Sequence, residues 1–216
     1  PLLLALRVAE GVGFLLVVLP APGLLRTLVP AVQLPSRLGL WGAYMPLATA
    51  LALLLGPAVM AAVGWRGWWG VLGGLSALAA LGVWRGVPAR PALARRPTTA
   101  WLSPVRDTVR HAGPWLVGLA FGSYSAQWLA VIGFLPSIYA EAGFGVAAMA
   151  LLTAAAAAAN IVGNVASGRL LQRGVAPARL LATGFGAMAL AAVTAFAWPG
   201  EGAAAATLRY AAVLLF

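Results

Sequence analysis

The chain has 216 residues, of which 62% are hydrophobic and only 8% charged, with a formal net charge of +10 and a mean hydropathy of +0.95. Such a composition excludes a disordered chain and an ordinary soluble domain. With no Cys and the single His111, it also excludes disulfides, thiolate chemistry and a histidine-cluster metal site, and no cofactor is expected.

Residues 2–25 form the first apolar segment and carry Arg7 and Glu10 inside it. Arg26 and Arg37 bracket a short Pro-containing connection, after which 38–64 is a long helix candidate with Pro46 and Gly56-Pro57. A tight turn around Gly64-Trp65-Arg66-Gly67 leads into 68–85. The stretch 86–112 is the one sizeable polar region, with four Pro and five Arg, and reads as a loop that can hold a short surface helix. Segments 113–139, 145–168 and 178–198 follow, and 203–216 is too short to be complete. A bilayer core is about 30 Å thick and needs about 20 apolar helical residues to cross. The runs 38–65, 67–84, 111–140, 142–168 and 180–200 hold no formally charged side chain. A domain of this size lacks the interior to bury five such runs in water, so the reading is an all-α, polytopic transmembrane bundle of seven spans. The chain starts and ends inside apolar segments, which reads as truncation at both ends.

The arginines give the orientation. Eleven of the fourteen (Arg26, Arg37, Arg85, Arg90, Arg95, Arg96, Arg106, Arg110, Arg169, Arg173 and Arg179) fall in or beside alternate connections, and only Arg66 marks the opposite side. By the positive-inside bias the 87–112 connection is cytoplasmic. Arginine without lysine, beside abundant Ala and Gly, suggests a GC-rich bacterial genome, hence a bacterial inner membrane. No nucleic-acid partner is expected, because the arginines sit between apolar runs and form no basic face. The partners expected are the lipid bilayer and a small-molecule solute.

Several side chains inside the spans carry chemistry. Arg7 and Glu10, three apart, share a helix face and can neutralise each other. Arg7 lies about 28 Å above Arg26 along a helix, so it can instead snorkel to the outer interface, and both readings stay open. Gly56-Pro57 can bend its helix or be ordinary span residues. Ser123, Tyr124 and Gln127 put polar groups near the middle of one span, where they must meet protein or a water-filled cavity. Asn160, Asn164 and Gly168 recur at spacing four with Gly163 and Ser167 beside them, a polar, small-residue stripe that serves as cavity wall or helix contact. Gly168-Arg169-Leu170-Leu171-Gln172-Arg173-Gly174 reads as a tight turn, with Gly174 permitting it and Pro177 starting the next helix. Residues 1–14 and 203–216 align at an offset of 202, matching Leu6-Arg7-x-Ala9 to Leu208-Arg209-x-Ala211.

These features resemble the central part of a major facilitator superfamily transporter, from the fourth span into the tenth. Arg7-x-x-Glu10-Gly11-x-Gly13 is similar to the Arg-x-x-x-Gly signature of the fourth span, which that family links to proton coupling. Gly168-x-Leu170-x-x-Arg173-x-Gly174 resembles the signature of the loop between the eighth and ninth spans, with Gln172 where an Asp usually precedes the Arg. Gly56-Pro57 resembles part of the fifth-span antiporter signature, whose further glycines are replaced by Ala52, Met60 and Ala61. The stretch from Asn160 to Gly174 looks most like the cyanate/nitroimidazole permease branch.

The resemblance implies two halves, 1–86 and 113–216, joined by the basic loop 87–112. It implies a secondary active transporter coupled to the proton gradient by symport or antiport, and monomeric when full length. Arg7, Glu10, Ser123, Tyr124, Gln127, Asn160 and Arg209 are the candidate substrate- or proton-facing groups. Gly56, Pro57, Gly168, Arg169, Arg173 and Gly174 are the candidate conformational and gating positions. Two buried arginines favour a small anion, since guanidinium binds oxyanions bidentately. An enzyme is not expected, because four scattered acids and one loop His supply no catalytic cluster. The alternative is a non-transporting polytopic protein, a sensor or an assembly factor.

Overall fold

The computed structural model describes residues 2–87, 102–197 and 202–215. These are helices joined by short turns, with no strand among them. Arg90, Arg95, Arg96 and Glu201 lie outside the described residues. The first apolar segment is two helices, α1 (Leu2–Val18) and α2 (Pro20–Leu28), joined at Leu19. Pro20 causes the joint, since it cannot donate to the carbonyl four residues back. After a single 3₁₀ turn at Ala31–Gln33 come α3 (Leu34–Gly42) and α4 (Tyr44–Gly86). Pro46 stands in the first turn of α4, so the carbonyl of Gly42 has no N–H to accept from, and the break between the two helices falls there, at Ala43.

The 56-residue stretch 31–86 spans about 84 Å if straight, far more than one bilayer crossing. Gly64 divides it, with φ 70° and ψ 172°, a conformation essentially reserved for glycine. The arms 44–63 and 65–86 are therefore two segments, as the tight-turn reading expects. α5 (Leu102–Arg110) is a short helix leading into α6 (Ala112–Glu141). α7 (Val146–Gln172) and α8 (Pro177–Ala192) follow, then one π turn at Val193–Ala197 and α9 (Ala203–Leu215). α6 and α7 end alike. After α7, Val175 N–H donates to the Leu170 carbonyl and Gly174 N–H to that of Leu171, each at 3.0 Å. This is a Schellman ending, and it needs the left-handed φ of 87° that Gly174 supplies. After α6 the same two bonds join Phe144 to Tyr139 and Gly143 to Ala140, and the Tyr139 and Phe144 rings meet edge-on at 5.8 Å. Pro177 opens α8 at its first position.

Two compact units divide the described chain, one of residues 1–53 with 150–216, the other of 54–149. The core of the first is mostly alanine: Ala43, Ala50, Ala154, Ala156, Ala157, Ala191, Ala195 and Ala212, with Met188, Val213 and Thr153. Side chains this small let helix backbones approach closely, which is how helices associate where lipid removes the hydrophobic drive between them. In the second unit Trp128 and Leu135 are buried on α6, and Gly56 is buried with the Trp68 ring 3.8 Å from where its Cβ would stand. Elsewhere large apolar groups face outward, with Leu2, Leu3, Leu16 and Val17 each above 70% exposed. In water each would forfeit about 1.5–3 kcal/mol of burial, whereas lipid satisfies them. Trp65, Trp68 and Trp69 cluster at the Gly64 turn, and Trp84 and Trp115 lie near other helix ends. That is the distribution of tryptophan anchors at membrane interfaces.

Candidate functional site

α1 presents an ion pair inside an apolar helix. The Arg7 Nη1 donates to the Glu10 Oε2 at 3.0 Å, one turn apart on the same face, with both side chains a little over half exposed. No residue of α1 is buried against the rest of the described chain. A charge within a membrane span is held by a counter-charge, by protein or by water, and here the helix supplies the counter-charge itself. Arg209 lies half-buried on α9 of the same unit. Its neighbour Tyr210 donates its hydroxyl to the Leu152 carbonyl of α7 at 3.3 Å, fastening α9 to α7.

α7 carries the asparagine stripe. The Asn164 amide donates to both the Asn160 carbonyl (3.0 Å) and its side-chain oxygen (2.7 Å), and Ser167 Oγ donates to the Asn164 carbonyl at 2.9 Å. Here α3 crosses α7 with almost no side chain between them. A Cβ at Gly39 would stand 2.6 Å from the Asn164 carbonyl oxygen and 2.9 Å from the Gly168 Cα. One at Gly168 would stand 2.7 Å from the Pro35 carbonyl oxygen, and one at Gly42 would stand 2.8 Å from Asn164 Oδ1. Gly168 is thus buried in a backbone-to-backbone contact, while Gly163, with nothing within 4 Å of an added Cβ, faces open space. Beyond the crossing α7 passes Arg169 and ends at Gln172, and the Arg173 N–H, just before Gly174, completes the last turn on the Arg169 carbonyl.

The second unit holds the α6 group. Ser123 and Gln127 are exposed, Tyr124 is half-buried with its ring 6.2 Å from that of Phe121, and Trp128 beside them is buried. Pro57 lies within the first arm of α4, beside the buried Gly56. The structure joins Arg7 to Glu10 and Asn160 to Asn164, and it sets Gly168 on α3.

Four features go beyond the sequence reading. Gly39 and Gly42 form the far side of the α3–α7 crossing, and nothing in the sequence sets them apart from the many other glycines. Pro136 lies inside α6 and was plain in the sequence. The Thr153 hydroxyl is fully buried with no hydrogen-bond partner. The π turn after α8 has no sequence signature.

The sequence profile of the Major Facilitator Superfamily matches residues 1–216. The chain belongs to the major facilitator superfamily. It is accordingly a multi-pass membrane protein of a transporter family whose members are generally not enzymes, and the described residues, helical and with five stretches among them long and apolar enough to cross a bilayer, fit that family. No curated protein and no solved structure gives a significant match.

Proposed function

We propose that this superfamily member is a proton-coupled secondary transporter of a small solute, with a small organic or inorganic anion as the favoured substrate. The observation that carries the reading is the Arg7–Glu10 pair at 3.0 Å within an apolar span. A carboxylate that holds a guanidinium can release it on protonation, and a freed guanidinium binds an oxyanion bidentately. Proton entry and anion binding then cooperate at one pair of side chains. Arg209 is the matching cation on the other side of the 87–112 loop, and Ser123, Tyr124, Gln127 and Asn160 are the further polar groups within spans taken as substrate- or proton-facing. The halves 1–86 and 113–216 rock about the central site in a monomer, in a bacterial inner membrane with the basic loop in the cytoplasm. Gly56, Pro57, Gly168, Arg169, Arg173 and Gly174 are the positions that accommodate the motion.

The test is uptake of a panel of small anions by the full-length protein in proteoliposomes under an imposed pH gradient. Arg7→Gln and Arg209→Gln are expected to weaken apparent anion affinity at least tenfold. Glu10→Gln is expected to abolish the response to the gradient while leaving exchange down a concentration gradient. Unchanged affinity of both arginine variants for every transported anion would remove the anion reading, and a Glu10→Gln protein that still concentrates solute would remove the coupling role.

A further inference from the structure

We propose that α5, together with the start of α6, is an in-plane membrane anchor that binds the anionic phospholipid surface on the arginine-rich side. At 100° per residue, Val105 and Val109 lie about 40° apart on α5, and Asp107 falls about 180° from their midpoint. Arg106 and Arg110 flank the valine stripe at about 80° and 120° from that midpoint, on one side of it. A helix resting on a bilayer has this arrangement: apolar groups downward, arginines at the rim reaching headgroup phosphates, the acid turned to water. The valines are uncovered, at 52% and 55% exposure. A nine-residue helix is too short to be stable by itself in water, so an exposed apolar stripe on it calls for a partner.

The depth of α5 is fixed by its neighbour. Trp115, in the first turn of α6, is 58% exposed and donates its indole N–H to the Val109 carbonyl at 2.8 Å. His111 Nδ1 lies 2.6 Å from the Asp107 carbonyl, and since a carbonyl only accepts, Nδ1 carries the proton there. Both carbonyls belong to the last turn of α5 and have no partner within the helix, so the start of α6 caps α5 with two side chains. Tryptophan at the end of a span sits at headgroup level. Tied to Trp115, the C-terminus of α5 sits at that level as well. Charge commits the occupant: the 86–112 connection has five arginines against one aspartate, a net +4. A polybasic juxtamembrane segment is drawn to anionic lipid, while the valine stripe and the tryptophan specify a bilayer over an acidic polypeptide or a nucleic acid.

These 216 residues hold no cysteine, so with any cysteine elsewhere in the full-length protein replaced by serine, a single nitroxide can be placed at Val105→Cys or Asp107→Cys. Each reporter is read by electron paramagnetic resonance in vesicles of phosphatidylcholine alone and of phosphatidylcholine with phosphatidylglycerol. In the anionic vesicles the position-105 label is expected to meet oxygen from the lipid and the position-107 label a water-soluble relaxation agent. Adding Arg106→Gln and Arg110→Gln is expected to lower the ratio of embedded to detached helix roughly 30-fold, from the usual preference of a basic residue for an anionic surface. Circular dichroism and a monodisperse elution profile verify that this variant keeps its fold. Inorganic phosphate at matched ionic strength is expected to leave the embedded signal intact. Displacement by phosphate would make a free anion the ligand and overturn the proposal. Equal water access at 105 and 107 in anionic vesicles, or equal embedding in neutral and anionic vesicles, would overturn it too.

Discussion

Replacing Gly168 by Ala tests whether the α3–α7 crossing is as close as the structure has it. The added Cβ would stand 2.7 Å from the Pro35 carbonyl oxygen and 2.9 Å from the Gly39 Cα, where ordinary contacts begin at 3.4 Å. The two backbones must therefore part by about 0.7 Å, and overpacking of this kind costs about 1–3 kcal/mol. Alanine in a helix interior returns about 0.5–1 kcal/mol relative to glycine. The net loss is about 0–2.5 kcal/mol, or up to about 8 °C in thermal midpoint at about 3 °C per kcal/mol for a chain of this size. Gly163→Ala, five residues earlier on the same helix, meets nothing within 4 Å. It keeps only the propensity gain and raises the midpoint by about 1.5–3 °C. The assay is the thermal midpoint of the detergent-solubilised full-length protein, followed by fluorescence-detected size exclusion. Gly39→Ala is expected to behave like Gly168→Ala, and the double variant to lose less than the two single losses together, because either substitution already parts the same pair of backbones. Shifts of the same sign and size for Gly163→Ala and Gly168→Ala would refute the reasoning, since the two differ only in what surrounds the new methyl group.

Gly64→Ala forces an L-residue into φ 70°, ψ 172°, a strain of about 1–3 kcal/mol; it is expected to lower the thermal midpoint and the yield of folded protein, and a midpoint equal to the parent's would show the arms of α4 turning by another route. Arg7→Gln and Glu10→Gln each strand one charge in a span, so each single variant is expected to insert and express worse than the double variant, as judged by membrane-fraction yield; a double variant no better than the worse single would mean the two side chains do not hold each other. Single cysteines at Asp107 and Arg173 are expected to resist a membrane-impermeant thiol reagent in intact cells, and one at Arg66 to react. Reaction at Asp107 but not at Arg66 would invert the orientation drawn from the arginines.

The helical layout was legible because lipid imposes a coarse rule. A span needs length and an absence of charge, and both are visible in runs such as 111–140 and 142–168. The turns at Gly64 and Gly174 were legible for a local reason, because glycine flanked by Trp-Arg or by Arg and Val-Ala-Pro marks a break that few other residues allow. The Arg7–Glu10 pair followed from spacing alone, and it forms within one helix. Contacts between helices were not legible in this way. Asn164 and Gly168 were visible as a stripe, but a stripe does not name its partner, and the small residues that face it, Gly39 and Gly42, sit among many other glycines. Gly163 and Gly168 look alike in sequence, yet one faces open space and the other touches backbone. The π turn at Val193–Ala197 and the unpartnered Thr153 hydroxyl depend on how α8 and α7 pack, which no local pattern encodes.

The α3–α7 crossing bears on how such a carrier would move. α3 precedes the basic connection and α7 follows it, so a contact between them joins the two proposed halves. Large interlocking side chains at such a junction would hold one register, because packed cores resist continuous deformation. Gly39, Gly42 and Gly168 present bare backbone instead, and the Asn164 amide N–H donates along its own helix to Asn160 while its Oδ1 lies beside Gly42 of α3. The junction is therefore close without any hydrogen bond from that amide holding it in place, a combination that lets two helices slide or tilt while staying in contact. The order of effects follows. Alanine at Gly168 should slow solute exchange in proportion to the separation it forces, and a larger side chain such as valine should hold the halves apart and stop exchange while leaving solute binding at the open side. Binding and exchange lost together at Gly168→Val would mean that the crossing only supports the fold, and the sliding junction would then have to lie elsewhere.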